Sequence, residues 1–241
     1  RAGKRFMPIT RNNDLVRNQT IIGLLFYAPS FAYAITDDDA GAVAAYLLAA
    51  GGSFFAASEL TRRMEISDAQ NAYATHFASR GTLMGVGLAH ALGGDDNWLG
   101  AGGFLTGIGG TALGLAIGRN RSVDEAAATG FGADALVLMT GIGQVFGRDG
   151  FDEDESGSGD YPSRTEAGVV LGSALVGYQL GALYPRFVRY NVTEGDVRSL
   201  WVTGGIGMLA ASAAVGGEDA SNDAEAAALI GGFAAGVVAG N

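Results

Sequence analysis

Residues 98–117 read WLGAGGFLTGIGGTALGLAI, twenty residues without a charged side chain. As a helix such a stretch rises about 30 Å, the thickness of a bilayer's hydrocarbon core. Glycines recur along it at spacings of four, Gly103 to Gly107 and Gly110 through Gly114 to Gly118, with no sustained alternation of period two. A half-buried strand would need that alternation, so helix is the expected state.

The same character returns along the chain at Asn18–Thr36, Ala40–Ser58, Gly81–Gly94, Ala135–Gly147, Ala167–Pro185, Ser199–Gly217 and Ala226–Asn241. Five of these eight stretches approach the roughly 20 residues of a spanning helix. Gly81–Gly94, Ala135–Gly147 and Ala226–Asn241 are short and need polar ends to complete a span. Helix starts are signalled by Thr36/Asp39, Ser122/Glu125, Ser163/Glu166 and Thr193/Asp196, where hydroxyl and carboxylate can satisfy the orphan amides of a first turn. An acid followed by alanine recurs at Asp39, Asp68, Glu125, Glu166 and Asp223, the trace of a helical or hairpin unit duplicated with a drifting period.

The expected fold is all-α: about eight helices zippered by glycine and alanine in hairpin repeats, forming a polytopic membrane bundle. A soluble helical repeat array is the alternative. The expected organisation is a basic segment 1–17, a five-helix region 18–148, an acidic linker 149–162 and a three-helix region 163–241, packed as one domain. No intact signal peptide is expected in the polar, basic opening from Arg1 to Arg17.

Composition removes several function classes. With a net charge of −10 and only one lysine, Lys4, the chain has no general attraction for nucleic acid and no lysine inside the helices for Schiff-base chemistry. The absence of cysteine removes thiolate catalysis and thiolate metal ligands. Forty glycines beside 9% aromatics leave little bulk for a thick core and point to thin, closely packed helices.

Charge decides between membrane and water. Numbering the gaps between stretches, the N-terminal segment and the even gaps hold Arg1, Lys4, Arg5, Arg11, Arg17, Arg62, Arg63, Arg80, Arg119, Arg121, Arg186, Arg189 and Arg198. The odd gaps hold Asp37 to Asp39, Asp95, Asp96, the acidic linker and the cluster from Glu218 to Glu225, with Arg148 and Arg164 their only cations. The positive-inside rule produces this alternation, with arginine-bearing loops cytoplasmic and both termini on that side. The soluble reading is supported by Arg80 and Asp134, each of which would cost about 2.5–3.5 kcal/mol to insert. Its localisation would be the periplasm or outer envelope.

Spacings of GxxxG type occur at Gly81/Gly85, Gly103/Gly107, Gly110/Gly114/Gly118, Gly143/Gly147, Gly168/Gly172, Gly177/Gly181 and Gly232/Gly236/Gly240. Missing side chains let backbones approach and dispersion hold helices together, so these glycines are the expected packing positions. Gly107 to Gly110 lack a preceding strand and a phosphate-binding lysine, which argues against a nucleotide loop. Asp134 is a lone acid in an apolar stretch, a position that carries ions in transporters, or a first-turn acid if its helix starts near Gly132. His76 and Arg80 share a helix face, and His90 follows on the same segment; a proton path or a polar helix start with an end-cap are the two readings. Ser53 with His90, and Ser173, lack an oriented oxyanion hole for hydrolase chemistry. The expected function is a non-enzymatic membrane or envelope scaffold without cofactor, whose partners are membrane lipid and other helical subunits or copies of itself. A small transporter or channel using Asp134 and Arg80 is the first alternative, a soluble envelope interaction module the second.

Overall fold

The computed structural model describes residues 13–146, 163–215 and 221–241. Most of the basic N-terminal segment, the acidic linker, Gly147, Arg148, Glu218 and Asp219 lie outside the described residues. Among the described residues the chain is all-helical, with eight helices and no strand. Helix α1 is built of Asn13–Ile22, a π-helical turn Gly23–Tyr27 and Ala28–Ile35. It is followed by α2 (Asp39–Arg63), α3 (Asp68–Ala91), α4 (Asp96–Ile117), α5 (Val123–Phe146), α6 (Arg164–Phe187), α7 (Glu194–Val215) and α8 (Asn222–Gly240).

The starts are fixed by caps. Ser122/Glu125, Ser163/Glu166 and Thr193/Asp196 each exchange two bonds, the hydroxyl accepting from the acid's amide and the carboxylate from the cap's amide. At α2 the cap is Asp38, which accepts from Gly41 N–H at 2.8 Å, while Thr36 Oγ1 accepts from Asp38 N–H one step upstream. Ser67 and Gln70 form a further box ahead of α3, and Asp95 and Ser221 cap α4 and α8. Because these caps precede polar first turns, α3 and α5 begin well before the apolar stretches they contain. Helix α3 ends in a left-handed Gly93 (φ 81°), with Gly94 N–H returning to Ala89 O and Gly93 N–H to His90 O. That closure satisfies the last carbonyls of the helix at a position open to glycine.

Five helices are long and apolar enough to cross a membrane: α2, α4 (extended to Asn120), α5, α6 and α8. This set differs from the five stretches that charge-free length alone favours. Capped polar turns lengthen α5 and α8, whereas Asp14, Arg17, Asn18 and Gln19 in α1 and Glu194, Asp196 and Arg198 in α7 dilute those two.

The π-helical turn of α1 has a local cause. Pro29 has no N–H to give, and its ring crowds the carbonyl one turn back. In the widened turn Ala28 N–H reaches Gly23 O, and the Leu24 carbonyl accepts the Tyr46 hydroxyl from α2 at 3.0 Å. A neighbouring helix thus supplies the donor that proline lacks.

The chain divides into two compact units, Arg1–Ala126 and Ala127–Asn241, so α5 groups with the helices after the acidic linker. In the first unit α3 and α4 pair antiparallel, α1 runs antiparallel to both α2 and α4, and the core clusters are Leu15, Ile66 and Ala74, then Ile22, Tyr27 and Ala78. In the second, Ala128, Val192 and Val197 form a cluster with Phe131, Tyr184 and Trp201. Trp201 stacks edge-on with Phe131 and Phe233.

Candidate helix-packing site

The first unit is held by a seam of small residues between α3 and α4. A Cβ at Gly114 would lie 2.5 Å from both carbonyl atoms of Tyr73, and one at Gly118 2.5 Å from Gln70 Cα. Gly110 abuts the Phe77 carbonyl, Gly81 the Thr106 carbonyl oxygen at 2.7 Å, and Gly85 the backbone of Gly102. Gly103 and Gly107 serve two neighbours at once, meeting Val86 and Thr82 of α3 on one side and Ser30 and Tyr27 of α1 on the other. Gly100 continues the line against Ala34, so the contact positions of α4 run 100, 103, 107, 110, 114, alternating steps of three and four. That rhythm keeps one face turned to a partner along the whole helix.

Polar side chains bond across the same interfaces. Thr106 Oγ1 donates to Gly81 O at 2.7 Å, Gln70 Nε2 to Leu115 O at 3.1 Å, and Asn18 Nδ2 to Asn71 Oδ1 at 3.3 Å. Tyr27 Oη donates to Thr111 Oγ1 at 2.5 Å, with Gly107 O also near it at 3.2 Å, and Thr111 Oγ1 in turn donates to Gln19 Oε1 at 3.2 Å. The Gln19 Nε2 is buried and finds no hydrogen-bond partner among the described residues. Such bonds between helices in hydrocarbon contribute about 0.6 kcal/mol each on average.

In the second unit Gly177 and Gly181 of α6 press on Ala133 and Thr129 of α5, with Gly132 as the reciprocal glycine. Gly232, Gly236 and Gly240 of α8 meet Ala211 and Thr203 of α7, and Gly204 and Gly207 answer from α7. Gly168 and Gly172 differ, since a Cβ at either would meet nothing within 4 Å. Gly143 has only Ile230 Cδ1, at 3.9 Å. Spacing of four places residues on one face of a helix, and only the neighbours decide whether that face is covered.

Arg80 and Asp134 sit in the middle of their helices, α3 and α5, rather than in gaps or first turns. Both are half-buried, and the Arg80 guanidinium donates to Ser79 Oγ at 3.0 Å. Because α5 starts at Val123, Asp134 lies more than two turns beyond the first-turn position that a start near Gly132 would give it. His76 lies one turn before Arg80 with its ring against Phe77, and His90 is in the last turn of α3.

The antiparallel register of the first unit sorts its charged ends. One end gathers Asp37, Asp38, Asp39, Asp95 and Asp96, with His90 as the only basic side chain among the described residues there. The other gathers Arg17, Arg62, Arg63, Arg119 and Arg121, mixed with acids that pair with them: Asp14, Glu59 and Glu125. Within the first unit the helix-end arginines are therefore confined to one end, with Arg80 at mid-helix, whereas carboxylates occupy both ends. Comparison of the chain with protein-family models, curated proteins and solved structures finds no match.

Proposed function

We propose that the chain is a polytopic membrane protein acting as a non-enzymatic scaffold or assembly subunit. The carrying observation is an inverted distribution of side-chain size. The closest helix contacts are made at glycine, alanine, serine and threonine, while Leu25, Leu47, Leu48, Phe55, Leu105, Leu209 and Val238 are each exposed by more than 60%. Exposed large apolar surface of this extent marks contact with a partner or a bilayer. Close backbone packing through small residues is how helices associate where surroundings and interior are equally apolar. In the first unit the confinement of the helix-end arginines to one end supports placing that end in the cytoplasm. In this reading the exposed apolar faces meet lipid, and further small-residue faces, such as that of Gly168 and Gly172, meet other helical subunits or second copies.

Single cysteines test both location and orientation without background, since the chain has none. Asp37→Cys and Arg62→Cys variants are expressed in cells, and the membrane fraction is washed with alkaline carbonate. Retention in the pellet is expected, with an impermeant maleimide labelling Asp37→Cys, but not Arg62→Cys, from outside. A chain that washes off and stays monodisperse in plain buffer is the soluble envelope module instead. A second reading, ion or solute transport, draws on the mid-helix positions of Asp134 and Arg80.

A further inference from the structure

A cleft of about 600 Å³ runs through the first unit, floored by α1 and walled by α2 and α4. Leu15, Gln19 and Tyr27 form the buried floor; Gly52 and Ala56 on one wall and Ala112 on the other are small and leave the space open. A Cβ at Gly52 would meet nothing within 4 Å, so this glycine makes room where the seam glycines make contact.

The cleft has room for an extended hydrocarbon chain. Its wall runs from Leu48 to Leu60, thirteen residues of helix, or about 18 Å from first to last. An extended hydrocarbon chain, with carbon contacts at about 4 Å, can lie along that length. The lining agrees. The polar groups of Tyr27, Thr111 and the Gln19 carbonyl bond to one another, and Ser53 Oγ donates to Ala50 O, so the buried Gln19 Nε2 is the one polar atom of this group left for a ligand. Leu48 and Ile108, at the mouth, are both exposed, so the rim of the cleft is itself apolar.

Direction follows from charge. Leu15, Leu60 and Leu115 line the end of the cleft beside Arg17, Arg62, Arg63 and Arg119, whereas among the described residues the opposite end of the unit carries carboxylates and His90. We propose that this cleft is a binding site for one acyl chain of an anionic phospholipid, entered sideways from the bilayer, with the headgroup at the arginine end. The proposal rests on the membrane reading above.

The test reconstitutes the full chain in phosphatidylglycerol vesicles containing phosphatidylglycerol with a diazirine on its acyl chain, and maps photoadducts by mass spectrometry. Adducts are expected on the floor, at Tyr27 or Leu15, and also on exterior positions such as Leu47 and Leu105. Gly52→Leu, and separately Ala112→Leu from the other wall, should lose the floor adducts while exterior adducts and helical content stay unchanged. Exterior labelling without floor labelling, or floor labelling that survives both substitutions, overturns the site while leaving the membrane reading intact. A chain that fails to enter the vesicles and takes no adduct anywhere overturns both.

Discussion

Two adjacent glycines of α4 give a controlled test of the seam. A Cβ at Gly110 would meet the Phe77 carbonyl carbon at 2.7 Å, whereas one at Gly109 would meet nothing within 4 Å. The optimum separation of carbon atoms is about 3.5–4.0 Å, so Gly110→Ala must push α3 and α4 apart by about 1 Å. The obstacle is backbone, which cannot rotate aside as a side chain can. A gap of that size forfeits a quarter to a half of each dispersion well along the seam, and overpacking of this kind costs about 1–3 kcal/mol. Both substitutions gain the same helix propensity, roughly 1 kcal/mol for alanine over glycine, so that term cancels in their difference. Gly109→Ala should therefore be neutral or stabilising, and Gly110→Ala less stable than it by about 1–3 kcal/mol. Reversible unfolding in mixed micelles, followed by far-ultraviolet circular dichroism, measures both. Equal midpoints for the two variants would refute the claim that α3 and α4 meet through glycine backbones.

Ser163→Ala removes the hydroxyl that accepts the Glu166 amide and should lower stability by about 0.5–2 kcal/mol, read as a drop in thermal midpoint. Tyr27→Phe deletes the hydroxyl shared with Thr111 and Gly107 O; a loss of about 0.6–1.7 kcal/mol is expected, with helical content unchanged. Asp134→Asn separates scaffold from transporter. In proteoliposomes loaded with a pH-sensitive or ion-sensitive dye, wild type and variant should both be silent under the scaffold reading, and a flux present in wild type and lost in the variant would establish transport.

The all-helical fold was legible because glycine spacing and the absence of period-two alternation both follow from helix geometry. Caps were legible at Ser122, Ser163 and Thr193, whose third residue is an acid, misplaced at Thr36/Asp39, where Asp38 caps the helix instead, and hidden at Ser67, whose partner is the neutral Gln70. The early part of α3 was illegible for a related reason. It carries Gln70, Asn71, Thr75, His76 and Arg80, which read as a polar gap, yet Gln70 and Asn71 bond to α4 and α1. The assembly of Gln19, Tyr27 and Thr111 joins residues up to 92 positions apart, and no local pattern announces it. Glycine pattern had the converse weakness: Gly168/Gly172 and Gly177/Gly181 look alike in sequence, and only the second pair lies against another helix.

The surroundings of these helices can be tested at a single exposed leucine, because water and hydrocarbon demand opposite outcomes. Among the described residues nine apolar side chains of valine size or larger are buried, Phe233, Leu15 and Leu200 most completely. Full burial of one such side chain stabilises by about 1.5–3 kcal/mol in water, a drive that the seam glycines, each costing a helix roughly 1 kcal/mol, largely offset. In hydrocarbon that shortage is no handicap, since close packing supplies the attraction. Leu105 lies near the middle of α4 and is 66% exposed. In water Leu105→Arg is an ordinary surface change, worth less than about 0.5 kcal/mol, and would improve solubility. At the centre of a spanning helix the same change costs about 2.5–3.5 kcal/mol, enough to shift most of the chain out of the carbonate-resistant fraction. Loss of membrane-integrated protein is the expected result; a variant that is undiminished in yield and soluble in plain buffer would show that water, not lipid, covers this face.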